Sequence, residues 1–212
     1  MRFYKCFAIG TLAAAAVFAN ADLFIEAGPG NFEGDENILF NEPGLVGTGN
    51  PVEGITNQTG FIVDFLSDET LTTPSGGQAR IEAVDGAFDN MSIFLDNDPD
   101  AGYTSLILNI NALDFGTVTF DIDQRVGSNL VATFDLDPNG ENFFRIWSTN
   151  DQFIVNTTFT STVDISDIRQ VRIGGSTTEI PPEEVVPEPG TIGVACCALG
   201  LAYMRRKKAR KV

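Results

Sequence analysis

Thr117-Val118-Thr119-Phe120-Asp121-Ile122-Asp123 is the stretch that decides the fold. Val118, Phe120 and Ile122 alternate with hydroxyls and carboxylates. An extended chain sends successive side chains to opposite faces, so a period of two marks a half-buried strand with a core face and a wet face. Working outward, similar β-prone runs occupy Asn37–Phe40, Phe61–Leu66, Ala79–Val84, Met91–Leu95, Tyr103–Ile110, Leu130–Leu136, Asn142–Trp147, Phe153–Phe159 and Val163–Ile173. Turn-forming clusters separate them: Pro74-Ser75-Gly76-Gly77, Asp85-Gly86, Asp96–Gly102, Gly127-Ser128-Asn129 and Asp137-Pro138-Asn139-Gly140. About ten short strands with little helical period between 22 and 174 predict a mainly β module. The expected form is an antiparallel β-sandwich of jelly-roll type, with a β-barrel as the structural alternative. The runs are too short, and their outward positions too acidic, for the lipid-facing band of an outer-membrane barrel.

Charge narrows the partners. All 29 acidic residues lie between Asp22 and Glu188, where the cations are Arg80, Arg125, Arg145, Arg169 and Arg172. Twenty-nine acids against five arginines leave this stretch with 24 net negative charges and no Lys or His. Such a surface repels phosphate backbones, which argues against nucleic-acid binding; it favours solubility and attracts divalent cations. Cys6, Cys196 and Cys197 all lie near the ends of the chain. The module therefore holds no disulfide framework and no thiolate metal site, and its stability rests on packing.

Without His there is no Ser-His-Asp or Cys-His arrangement and no imidazole base. Carboxylate pairs of the glycosidase kind arise by chance among so many acids, so no catalytic residue is assigned and the chain is read as a non-enzyme. Calcium is the one cofactor the sequence raises. Asp96, Asp98 and Asp100 stand at alternate positions of one loop. Asp135, Asp137 and Asn139, followed by Gly140, match the first half of an oxygen-ligand calcium loop. Ile107 and Ile146 stand where such loops place the closing Glu. Asp137-Pro138-Asn139-Gly140 also reads as an ordinary turn. For glycans, Tyr103, Phe143 and Trp147 are candidate stacking platforms. Phe143, Arg145 and Trp147 share one face of their strand, and Phe144 and Ile146 the other; one of the two faces must be core.

The two ends carry targeting signals. In residues 1–21, Arg2 and Lys5 precede an Ala-rich apolar stretch from Cys6 to Phe18, and Ala19-Asn20-Ala21 supplies a small-x-small cleavage site for signal peptidase. Residues 175–186 form an acidic, Pro-rich linker, too poor in apolar groups to fold. Residues 187–212 run Pro187-Glu188-Pro189-Gly190, an uncharged segment 191–204, then six cations between Arg205 and Lys211. Fourteen residues make a helix of about 21 Å, short of a ~30 Å hydrocarbon core; snorkelling cations extend it and hold the tail in the cytoplasm.

This motif–helix–cation order resembles the PEP-CTERM sorting signal of exported bacterial proteins. The resemblance covers about 26 residues plus the leader such proteins carry. It implies that Pro187, Glu188 and Pro189 are recognised by an exosortase in the inner membrane. Removal of the helix and tail and transfer to the cell surface or to exopolysaccharide then follow. Stretches such as Asn142-Phe143-Phe144-Arg145-Ile146 and Gln170-Val171-Arg172-Ile173-Gly174 resemble, more loosely, the β modules of such proteins. The expected protein is a structural or adhesive surface or matrix component. A calcium-dependent carbohydrate-binding module and a secreted glycan hydrolase are the alternatives.

Overall fold

The computed structural model describes residues 23–28, 35–74, 80–95, 101–138 and 142–177. Two thirds of these residues lie in strands, and no helix occurs among them. The strands are β1 (Leu23–Ala27), β2 (Glu36–Leu39), β3 (Thr48–Gly49), β4 (Val52–Thr56), β5 (Ile62–Leu66), β6 (Leu71–Thr72), β7 (Arg80–Ala83), β8 (Phe88–Leu95), β9 (Ser105–Ala112), β10 (Gly116–Gln124), β11 (Leu130–Leu136), β12 (Asn142–Ser148) and β13 (Ile154–Gly174). Every pairing is antiparallel, as the alternating sequence predicts.

β13 organises the rest. Its first half pairs with β10 on one side and β8 on the other; its second half pairs with β9, and with β7 and β2. The order β13-β2-β4-β5-β8 returns to β13, so five strands close into a barrel. The barrel kept as the structural alternative is thus present, built on one strand that the sequence reads as two. Thr160-Ser161-Thr162 suggests a break, yet Ser161 is buried opposite Val118 and the strand continues through it. β1, β3, β4 and β6 were not expected as strands.

Ile38, Val52, Val63, Phe65, Ile93 and Leu95 are buried on four of the five ring strands, β2, β4, β5 and β8. Gly54 lies among them: a Cβ there would stand 2.3 Å from Ile38 Cγ2 and 2.8 Å from Phe40 Cε1, so the barrel is filled to contact. On the other side of β13, the strands β9, β12 and β1 and the strands β10 and β11 form an arc. β1 approaches β11, but no ladder joins them. Phe120, Phe134, Phe144 and Phe159 fill this arc, with Phe120 and Phe144 centroids 4.9 Å apart and Phe134 and Phe144 5.4 Å apart. Phenylalanine, the commonest aromatic of the chain, is spent on this cluster. Burying such rings supplies the dominant favourable term for folding in a module without disulfides.

The leader with Ala19 and Ala21, and the tail with Pro187, Glu188 and Pro189, lie outside the described residues. So does the segment 191–204. Among the described residues, no helix is long and apolar enough to cross a membrane.

Candidate functional site

β12 settles which of its faces is core. Phe144 and Ile146 are buried, so Phe143, Arg145 and Trp147 point outward. β1 lies beside β12 with Phe24 opposite Trp147 and Glu26 opposite Arg145. The Phe24 and Trp147 rings stack, with centroids 5.1 Å apart and planes 14° from parallel. The Arg145 guanidinium lies over the Trp147 ring, 4.9 Å from its centroid, and pairs with the Glu26 carboxylate. This is a cross-strand aromatic pair joined to a cation–π contact, each member fixing the rotamer of the next.

The same face continues onto β13 and β7. Arg172 and Arg169 lie three residues apart and would face opposite sides of a regular strand. Gln170 adopts a left-handed conformation (φ 54°), and the register against β9 shifts between Arg169 and Arg172. Asn109 and Ile107, two apart on β9, therefore meet Arg169 and Arg172 on one face. The extra residue is a β-bulge that re-aims a side chain. Arg80 on β7 sits opposite Arg169. Four of the five arginines of the acidic module thus share one sheet face.

Three ion pairs hold cations of this face in place. Arg145 meets Glu26, Arg80 Nε meets Glu82 Oε1 at 2.8 Å, and Arg169 Nε meets Asp167 Oδ1 at 2.5 Å. Asp167 is the best buried of these carboxylates. Burial alone would raise its pKa, but hydrogen bonds from Arg169, Asn111 and Ser166 outweigh that and hold the carboxyl below its ordinary value. The face is locally charge-balanced within a strongly acidic chain. Flat rings flanked by guanidinium and carboxylate groups can stack on a sugar ring and hydrogen-bond its hydroxyls.

Tyr103, grouped with these platforms on sequence grounds, is corrected. It is fully buried, and its hydroxyl donates to Thr157 Oγ1 at 2.7 Å. Burial pushes the phenol well above its ordinary pKa. The ring is core and cannot serve as a platform. Phe24 is the residue that sequence reasoning missed. The alternation Leu23-Phe24-Ile25-Glu26 was the available signal, but it directly follows the leader's apolar run.

The calcium candidates divide. Asp96, Asp98, Asp100 and Asn139 lie outside the described residues. Asp135 is an exposed residue of β11 opposite Thr117. The Asn142 side chain accepts from the Asp137 N–H at 2.9 Å and donates to the Asp137 carbonyl at 3.0 Å. Among the described residues, no group of three or more His, Cys, Asp or Glu is placed to hold a metal.

The outer face of β11, β10, β13 and β8 is of another kind. Thr133, Thr119, Thr160 and Asn90 form one cross-strand row, and Asp121, Thr158 and Ser92 occupy the next. The hydroxyls bond to each other, Thr119 to Thr133 and Ser92 to Thr158, both at 2.9 Å. Asn129 Nδ2 donates to Asp121 and Asp123. These groups satisfy one another, as a solvated sheet face requires. No protein-family model matches the chain, and no curated protein matches it.

Proposed function

We propose that this chain is an exported surface or matrix protein with a structural or adhesive role. Signal peptidase removes residues 1–21, the β module folds outside the inner membrane, and residues 187–212 hold it there. Exosortase recognition of Pro187-Glu188-Pro189 then releases the module to the cell surface or to exopolysaccharide. The single observation that carries this reading is the order of the C-terminal 26 residues: motif, uncharged segment, six cations. One feature of composition supports it: the acids lie upstream of the six tail cations, as expected for a domain outside and a tail inside. The packing of β10–β11 on β9–β12 through phenylalanines is read, in the same proposal, as the sandwich-type half of the module.

Within that role, the outer face of β12 with Phe24, Phe143, Arg145 and Trp147 is the surface offered to exopolysaccharide. The sorting step is tested by replacing Pro187, Glu188 and Pro189 with Ala and fractionating cells. The variant accumulates in the inner membrane while the natural chain reaches the surface. Equal arrival of both at the surface refutes the sorting reading.

A further inference from the structure

Asn142, the first residue of β12, grips the main chain of Asp137 at two points. Its Oδ1 accepts from the Asp137 N–H at 2.9 Å, and its Nδ2 donates to the Asp137 carbonyl oxygen at 3.0 Å. The same Nδ2 donates to the Ile110 carbonyl at 2.9 Å, and Ile110 is buried on β9 directly opposite Asn142. The amide is therefore tied to the core sheet while it holds Asp137. Asp137 itself is exposed, and the carbonyl that Asn142 holds is the acyl half of the Asp137–Pro138 bond.

That bond has its own chemistry. An aspartate carboxyl is tethered beside its own main-chain carbonyl carbon, so attack needs no bimolecular encounter. The bond to proline is a tertiary amide, and the departing nitrogen is a basic secondary amine. Proline has no N–H, so the competing attack of the next residue's nitrogen on the carboxyl is closed. The chain holds one other bond of this kind, Asp98–Pro99, which provides an internal reference.

We infer that Asp137–Pro138 is a self-cleaving bond, hydrolysed in mild acid by the Asp137 carboxyl with the Asn142 amide stabilising the oxyanion. The protonated carboxyl supplies both an oxygen and a proton. Its oxygen bonds to the main-chain carbonyl carbon of Asp137, and the carbonyl electron pair moves onto the oxygen that Asn142 Nδ2 already holds. A donor fixed at that atom binds more strongly as negative charge develops, so it lowers the barrier rather than only holding the ground state. The carbon–nitrogen bond then breaks, and the proton leaves with the Pro138 nitrogen. Residue 137 is left as a cyclic anhydride, which water opens to two carboxyl groups. One peptide bond and one water are consumed, and nothing is oxidised or reduced. The cut falls between β11 and β12, yet the module stays assembled. β12 pairs with β1 and β9, and β13 with β2, β7, β8, β9 and β10, all of which lie upstream of the cut.

The test compares the folded and the unfolded chain. The full natural chain is held at about pH 4, near the ordinary aspartate pKa, in buffer or in urea, and its fragments are followed by intact mass. In urea the two Asp–Pro bonds break at similar rates. In the folded chain Asp137–Pro138 is expected to break roughly tenfold faster than in urea, less than the hundredfold or more that one donor supplies in a closed active site. Asp137→Asn abolishes the cut at this bond. Asn142→Ala, checked for its fold by Trp147 emission, brings the folded rate down to the urea rate and leaves Asp98–Pro99 as it was. A folded rate for the natural chain no higher than its urea rate overturns the inference without any variant. A folded Asn142→Ala chain that keeps the acceleration overturns it too.

Discussion

Gly54→Ala is the substitution that probes barrel closure most sharply. The new methyl would lie 2.3 Å from Ile38 Cγ2, 2.8 Å from Phe40 Cε1 and 3.2 Å from Phe40 Cδ1. Ile38 is buried on β2 and the Phe40 ring packs on Phe65 at 5.5 Å, so both neighbours are themselves backed by core. Overpacking of this kind costs about 1–3 kcal/mol. Replacing Gly lowers the entropy of the unfolded chain and returns about 0.4–1 kcal/mol. The net loss is about 1–2 kcal/mol, a fall in Tm of roughly 2–8 °C for a module of this size. Calorimetry or urea melts of Gly54→Ala, Ile38→Ala and the double variant form the assay. Ile38→Ala alone costs about 2–4 kcal/mol through the cavity it leaves. The double variant costs less than the sum, by about 1 kcal/mol or more, because the added methyl occupies part of that cavity. A Gly54→Ala chain as stable as the natural one, or strict additivity in the cycle, would refute a barrel packed to contact at this position.

Three further outcomes are expected. Trp147 is the chain's single tryptophan, so its fluorescence reports the β12 face alone: Phe24→Ala shifts the emission and costs about 1 kcal/mol of stability, and titration with the producing cell's exopolysaccharide changes the emission of the natural chain but not of Arg145→Ala. An unchanged spectrum in Phe24→Ala would remove the stack from the account. Tyr103 is the one tyrosine between residues 22 and 186, and its phenol is raised above the ordinary 10.0, so its contribution to stability is whole below pH 10 and is lost as pH rises beyond it; phenolate absorbance appears together with unfolding, and ionisation of a still-folded module at pH 10 would contradict the burial. Asp167 is held below its ordinary carboxyl pKa, so its contribution is present above about pH 4 and fades as pH falls further; Asp167→Asn lowers Tm at neutral pH, and the gap to the natural chain narrows in acid. A gap independent of pH would assign that loss to something other than the charge.

The fold class was legible where a strand is long and strictly alternating. β10, with Val118, Phe120 and Ile122 against Thr119, Asp121 and Asp123, is such a case, and its register follows the pattern. Closure was not legible, because the ring depends on β4. Val52-Glu53-Gly54-Ile55-Thr56 carries a glycine that reads as a breaker but serves to admit Ile38 and Phe40. β13 was expected as two runs, Phe153–Phe159 and Val163–Ile173, separated by the polar stretch Thr160-Ser161-Thr162. The alternation through Ser161 stays in phase, and only pairing with both β10 and β8 distinguishes the cases. At the candidate site, the partition of β12 could be narrowed to two faces but not chosen, since Phe143 and Trp147 are as apolar as Phe144 and Ile146. Tyr103 failed for the opposite reason: a polar tip suggests exposure, and its partner Thr157 is 54 residues away. The arginine face depends on the Gln170 bulge, which has no glycine to announce it.

The most direct test of the central claim is the intact mass of the mature protein recovered from the cell surface or the surrounding matrix. Export and sorting predict a chain that begins at Asp22 and lacks the uncharged segment 191–204 and the cations from Arg205 to Lys211. A surface protein that still carries residues 187–212 would contradict sorting and make that segment a permanent anchor.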